Sequence, residues 1–442
     1  MYSRRFCRAL RLVAIPLLFA GCVPEAPPEP GGPGPEATTP TPVAAAIRGH
    51  VRATSGALLP EVTVTLGDRV TTTNARGRFQ FEEVVPGGGL VLTAARPGLS
   101  GGRRVVDVEE GQRIELGIVL APARQAQLPT ATPGPDAVVQ TVDGVTVEFV
   151  DGTFVDPEGS PVQGPLDLSI SLLNAPELVA AAPGMLAQAP GGAVFALQSF
   201  GMVEVVLSAG GVPVTFSGVA ILSFPLAADH GFGDGAAIPL WWFDPALGYW
   251  LQEGQGSVQE GRFVAEVTHF SWWNADAPLG ETACISGVLH TPTGTVAQGF
   301  VVNGFGLDYL GGSQGVTDST GGFCLPLKRA GQALLTAIGG EGEAIWSWEA
   351  QALAGQTPSA CGGDCVDLGD VLLVDLTDDA DGDGYSELAG DCDDADAGIS
   401  PAAADPAVDG TDEDCDGLDG PDADGDGVAA LDAGGADCDD TR

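Results

Sequence analysis

The sequence predicts an all-β protein: two small β-sandwiches flank a larger β-sandwich, followed by an aspartate-rich repeat with little regular structure. Three observations carry this. Short segments alternate apolar and polar residues with period two between Gly, Asn and Pro turns, and no segment sustains a helical stripe. One pattern occurs twice, far apart. The last stretch, from Asp375, holds 24 acidic residues and one base, −23 of the chain's −42.

The internal repeat fixes the organisation. Ile47-Arg-Gly-His-Val51 has a partner in Ile285-Ser-Gly-Val-Leu289, and Thr73-Asn-Ala-Arg-Gly-Arg-Phe79 recurs as Thr317-Asp-Ser-Thr-Gly-Gly-Phe323. Ile114-Glu-Leu-Gly117 recurs as Val366-Asp-Leu-Gly369. The anchors keep one order at offsets of 238, 244 and 252 residues. In the first copy, Val62–Leu66, Arg78–Phe81 and Arg103–Val108 read as strands, with Asn74–Gly77 a tight turn and Phe79 entering the core. Seven or so strands in each copy imply a small sandwich. Both copies resemble the carboxypeptidase regulatory-like family, which implies a prealbumin-like β-sandwich with a structural role. The expected limits are 46–121 and 282–374. Nothing resembles the zinc peptidase that some members accompany, since His50, His230, His269 and His290 form no H-x-x-E or H-E-x-x-H motif.

Residues 136–276 are expected to form the larger sandwich, from strands at Val145–Phe149, Leu166–Leu172, Met202–Leu207 and Val219–Phe224. A Pro-rich stretch within 122–135 reads as a linker. The segments from Gly164, Ile238–Asp244 and Thr268–Asn274 resemble a β-rich domain of bacterial surface lipoproteins and an extracellular domain of cartilage intermediate layer protein, which implies architecture and place. Trp241 and Phe243 should face one way and Trp242 the other, with Trp272 and Trp273 split likewise. Exposed rings among these four could stack on a glycan; the competing expectation is that they fill the core and cover loops.

The start of the chain sets location. Arg4, Arg5, Arg8 and Arg11 precede Leu12–Ala20, an apolar run too short to span a bilayer. Phe19-Ala-Gly-Cys22 resembles a bacterial lipobox, with Phe19 in place of the usual Leu. The resemblance implies a signal peptide at 1–21, lipid attachment at Cys22 and membrane anchoring. Val23 rather than Asp after the Cys resembles an outer-membrane destination. Residues 22–45 are rich in Pro and read as an extended tether, at roughly 3.1 Å per residue.

Within 375–442, Asp379-Ala-Asp381-Gly-Asp383-Gly-Tyr385 leads to Asp391-Cys392-Asp393-Asp394-Ala-Asp396. The block restarts as Asp422-Ala-Asp424-Gly-Asp426-Gly-Val428, then Asp437-Cys438-Asp439-Asp440. Carboxylates at every second position, with Gly allowing the turn, can wrap oxygens around one hard cation, and Ca2+ takes six to eight. An EF-hand places Glu twelfth; counted from Asp379 that position is Gly390, so Asp391 or Asp393 would have to close the shell. The block lacks His, Met and Trp, which argues against copper or zinc. Its alternative is a disordered acidic tail, and repulsion should keep it open until calcium folds it. The block resembles the metal-binding aspartate repeat of bacterial surface proteins and, more distantly, the calcium-wrapping repeats of thrombospondins. The second repeat stops two residues after Asp440, so the expectation is that a complete domain would continue.

Cys284, Cys324, Cys361 and Cys365 could form two bridges in any of three connectivities, with zinc as the competing reading. Cys392 and Cys415 bracket the first repeat and could pair; Cys438 is left without a counterpart. Gly98-Leu-Ser-Gly-Gly102 and Gly311-Gly-Ser-Gln-Gly315 fit G-x-S-x-G, but a nucleophile elbow needs a strand–turn–helix setting that β hairpins do not provide. With 18 bases in all, no basic face for nucleic acid is expected. The sequence thus reads as a non-enzymatic, lipid-anchored, calcium-binding protein of the outer membrane or cell surface, for adhesion, matrix contact or display. A glycan-binding module and a hydrolase of unrecognised type are the alternatives.

Overall fold

The computed structural model describes residues 43–128, 138–142, 144–228, 230–422 and 427–438. The expected signal peptide, Cys22 and nearly all of the tether lie outside them. No helix of the described residues is long and apolar enough to cross a membrane.

The first small unit has two sheets. Ala45–Ala53 runs between Arg78–Val84, antiparallel, and Arg113–Leu120, parallel. Against these lie Arg69–Thr72, Thr63–Leu66, Gly87–Ala95 and Gly102–Val108, in that order. Alternate residues turn inward, so Ile47, Val62, Val64, Phe79, Leu92, Ile114 and Leu116 pack between the layers. Each buried side chain of this size contributes about 1.5–3 kcal/mol.

The second small unit repeats that topology and adds one short strand. Thr282–His290 runs between Gly322–Lys328 and Val366–Leu372, with the same antiparallel and parallel senses. Opposite lie Gly312–Val316, Val301–Gly306, Gln332–Gly339, Trp346–Leu353 and a short Val374–Asp375. All three sequence anchors land at equivalent places, and their residue types have a steric cause. Gly49 pairs across the sheet with Phe79, and Gly287 with Phe323. A Cβ on Gly49 would meet the Leu116 carbonyl oxygen at 2.1 Å and the Phe79 ring at 3.0 Å; one on Gly287 would meet the Phe323 ring at 3.0 Å. The ring lies over the strand only where no side chain stands. The threonine ahead of each turn is buried and does the same work in both copies. Thr73 accepts from the Val62 N–H and donates to the Leu59 carbonyl; Thr317 accepts from Phe300 and donates to Ala297.

Between them, the middle unit is one continuous sheet of twelve strands rather than two separate ones. Its main path runs Arg124–Leu128, Leu166–Leu173, Val194–Ala209, Trp272–Pro278, Ala237–Asp244, Tyr249–Gln259, Arg262–Val267, Thr215–Pro225, Val145–Val155 and Val138–Val142. The two ends of this path cover one core: Leu168, Val203 and Val205 from one side meet Phe149, Leu222 and Phe263 from the other. One expectation is corrected here. Arg124–Leu128 is not linker but an edge strand, paired with Leu166–Leu173. Its sequence, Arg-Gln-Ala-Gln-Leu, has one large apolar residue, Leu128, so its order rests on ladder hydrogen bonds that carry no hydropathy signal.

The units are joined by polar contacts to backbone. Arg104, buried, donates to the carbonyls of Gly117, Ala180 and Ala182. Arg78 donates to Gly340 and Gly342, and the Gly101 N–H to Glu204. Three disulfides are formed: Cys284–Cys365, Cys324–Cys361 and Cys392–Cys415. The first two consume the thiolates that a zinc site would need.

Candidate metal centre

After Val374–Asp375 the described chain has no further strand, only single turns at Glu387–Ala389 and Leu431–Ala433. Aspartate and glycine cause this. Most of these aspartates turn carboxylate oxygens onto nearby backbone N–H groups, Asp379 with both of its oxygens, and glycine takes the left-handed turns, with φ of 82° at Gly382 and 103° at Gly384. Asp379 accepts from Gly382 N at 2.8 Å and from Gly384 N at 3.0 Å. Asp381 accepts from Asp383 N, and Asp383 from Tyr385 N. The halves of the repeat are tied where the Ala380 N–H donates to Asp394.

This folding concentrates carboxylates. One oxygen from each of Asp379, Asp381 and Asp383 lies within 4.8 Å of the others. Asp391 is 4 % exposed, and its Oδ1 accepts from Asp393 N. Asp381 Oδ2 and Asp391 Oδ2 are buried and have no hydrogen-bond partner. Burial, then the charges of Asp383, Asp391 and Asp379, holds the Asp381 carboxyl above its ordinary range. Glu387 is raised by burial and by Asp394 and Asp391. No Lys, Arg or His occurs in residues 375–438 to answer these charges. The donor set is oxygen only, which suits a hard cation.

The remaining expected ligands are placed differently. Asp393 and Asp396 spend an oxygen on the N–H groups of Ala395 and Gly398, and Tyr385 enters through its own N–H. In the second repeat Asp422 accepts from Gly427 N at 2.8 Å, Val428 is exposed, and the Asp437 N–H donates to Ala429. Asp424, Asp426 and Asp439 lie outside the described residues. Cys438 is an exposed thiol. A second carboxylate group, Asp405, Asp412 and Asp414, escaped the sequence reading. Its signal was there: Asp412-Glu-Asp414-Cys-Asp416-Gly417 has the D-x-D-x-D-G order, disguised by Glu413 and Cys415 in the spacer positions.

The tryptophan cluster is not an open stacking site. Trp241, Trp272 and Trp273 are 3 %, 1 % and 0 % exposed. Trp241 and Trp272 pack in a cluster shared with Val119 of the first small unit and Leu310 of the second, while Trp273 joins the central core. The indoles of Trp241 and Trp273 donate to the carbonyls of Asp276 and His269. Trp242, half-buried, meets His269 edge to face at 4.9 Å. The expected alternation holds, but both faces of the strands are covered. Ser100 is fully buried and accepts from Ala121 N, and Ser313 lies on a strand, so neither G-x-S-x-G forms a nucleophile elbow.

A family model for the carboxypeptidase regulatory-like domain matches residues 46–121. That module is non-catalytic, in keeping with a non-enzymatic protein. No curated protein matches the sequence. Solved structures with some likeness include the Bacillus anthracis TIE protein, at 9 % identity over 76 % of this chain and 51 % of that one, with a TM-score of 0.16. The chain thus spans about half the length of that structure. The major pilin subunit BcpA of Bacillus cereus has 8 % identity over 74 % of this chain and 99 % of its own (TM-score 0.15). The full-length major pilin SpaD of Corynebacterium diphtheriae has 9 % over 75 % and 98 % (TM-score 0.17). Likeness at this level adds no argument about function.

Proposed function

We propose that the protein is a non-enzymatic cell-surface component, lipid-anchored at Cys22, whose aspartate block binds calcium and becomes rigid in doing so. One observation carries the metal reading: Asp381 and Asp391 each bury a carboxylate oxygen without a donor, in a stretch, 375–438, without a base. An unsatisfied buried polar group costs about 1–3 kcal/mol, more when charged. A cation coordinated by oxygens offsets that, and its binding free energy becomes folding free energy. Asp379, Asp381, Asp383 and Asp391 would hold it. Calcium fits better than magnesium, which needs a smaller, stricter octahedron and dehydrates reluctantly. The lipobox-like start supports the anchor, and three disulfides suit an oxidising exterior. Presenting the β units away from the membrane fits adhesion, matrix contact or display.

The test compares limited proteolysis and amide exchange of the mature protein in calcium and in chelator. Residues 375–438 should gain protection in calcium, less in magnesium, and lose it in Asp381→Asn/Asp383→Asn. Equal protection in calcium and chelator would overturn the metal reading. For the anchor, a fatty-acid label should mark the protein and vanish in Cys22→Ser; label retained in that variant would overturn it.

A further inference from the structure

We propose that Asp405, Asp412 and Asp414 form a second, separate cation site, tied to the first by the Cys392–Cys415 disulfide. Three loops of this chain spell D-x-D-x-D-G: Asp379–Gly384, Asp412–Gly417 and Asp422–Gly427. Each closes identically, the glycine N–H donating to Oδ2 of the first aspartate at 3.0, 2.9 and 2.8 Å. Loop shape alone does not make a site. The independent observation is Asp405, which comes from outside the loop and is 7 % exposed. Its Oδ2 accepts from Gly420 N at 2.6 Å, while its Oδ1 is buried without a partner. One oxygen each of Asp405, Asp412 and Asp414 lies within 4.8 Å of the others. Asp412 Oδ1 is likewise buried and unpartnered, and the carboxyl of the neighbouring Glu413 lies against that of Asp405. Four carboxylates therefore converge, with no Lys, Arg or His among residues 375–438 to answer them. An oxygen-binding divalent cation answers them together; a proton shared by Glu413 and Asp405 answers only that pair.

The disulfide makes the two sites neighbours in the chemical sense. Cys415 occupies a spacer position of the second loop, with φ of 56°, and Cys392 stands between Asp391 and Asp393 of the first. The Cys392 N–H also donates to Cys415 Sγ at 3.1 Å. An ion that orders either loop therefore orders an attachment point of the other, and the coupling is reciprocal.

This inference extends the calcium reading of the first loop but rests on its own carboxylates. Native mass spectrometry of the mature protein, titrated with calcium alone, separates the two. Wild type, Asp381→Asn/Asp383→Asn and Asp405→Asn/Asp412→Asn would be compared. Each double variant should bind one ion fewer than wild type, and the ion left in the first repeat should bind several-fold more weakly. If Asp405→Asn/Asp412→Asn keeps the wild-type count while the other variant loses one, the second site falls and the first stands. Wild type that binds none overturns both. Should Asp405→Asn/Asp412→Asn fail to close Cys392–Cys415, Asp414→Asn replaces it, and an unchanged count there overturns the second site.

Discussion

The β units and the aspartate block differ in what most of their buried surface is made of. In the β units the largest fully buried side chains are Trp, Phe, Ile and Leu, and the chain is ordered chiefly by removing apolar surface from water. In residues 375–438 the only buried apolar residues among those described are Ala429 and Ala430, whereas Asp391, Ser400 and Asp405 are buried. A region that buries carboxylates instead of hydrocarbon has no hydrophobic term to rely on. Its order has to come from Asx turns, a cross-link and a counter-ion. The two regions should therefore respond to different perturbations, and the predictions test that separation.

The largest effect is expected from the core. Phe149 is fully buried and meets Phe154, Phe216 and Phe270 at 5.1, 5.3 and 5.5 Å. Phe149→Ala should lower stability by about 3–5 kcal/mol. Thermal unfolding followed by the buried tryptophans would show it, with calcium affinity unchanged. A parallel loss of calcium affinity would break the separation. Next comes the cross-link. Cys392→Ser/Cys415→Ser opens a loop of 23 residues' separation, worth roughly 3 kcal/mol on the loop-entropy model. The block should then need more calcium for the same protease resistance, while the unfolding of the β units stays put.

The same contrast explains what could be read from the sequence. The repeated sandwich was legible because each anchor has a local cause: Gly49 and Gly287 make room for a Phe ring, and Thr73 and Thr317 satisfy buried backbone. The block was legible as a cation binder from its acid spacing. Asp405 was not, because it stands alone beside Pro406 and reaches its partners only through the folded loop. Arg124–Leu128 was missed for want of apolar residues, and the tryptophans were ambiguous because alternation shows which face a ring takes, not whether that face is covered.

A carboxylate buried inside the β units sharpens the contrast further. Glu115 lies at the seam of the two small units, where its N–H donates to Gly299, and neither of its oxygens has a partner. Burial raises it to about 7 from 4.5, against the lowering charges of Arg78, Arg48 and Arg113. Between those values the native state holds a proton that the unfolded chain has lost. Stability should fall as pH rises from about 4.5 to 7 and stay lower above. Glu115→Gln should remove that slope and stabilise the protein at pH 8 by on the order of 2 kcal/mol. Chemical denaturation at pH 5 and pH 8 would measure it. Unlike the block, this site should gain nothing from calcium, because three guanidinium groups, Arg78, Arg48 and Arg113, stand against it beside the one further carboxylate, Glu341.

The smallest effect comes from an Asx turn like those of the block, placed where no ion is needed. Asp318 opens the turn before Phe323, and its Oδ1 accepts from the N–H groups of Thr320 and Gly322 and from the Thr320 hydroxyl. Those bonds, the hydroxyl's first, hold its carboxyl below the ordinary range. The first copy has Asn74 at this place, whose side-chain oxygen accepts from Arg76 and Arg78. Asp318→Ala and Asn74→Ala should each cost about 1 kcal/mol through the lost turn bonds. Only the Asp318 contribution should depend on pH. It is present above the unfolded pKa of 3.8 and is lost as pH falls through the lower folded value. Asp318→Asn, which copies the first repeat, should keep the turn and remove that acid dependence. Calcium should leave all three variants unmoved, since a single exposed aspartate with its bonds made presents no converging oxygens. A calcium-dependent shift in Asp318→Ala would mean that aspartate turns in this protein recruit cations whether or not other carboxylates converge on them, and the line drawn between the β units and the block would have to move.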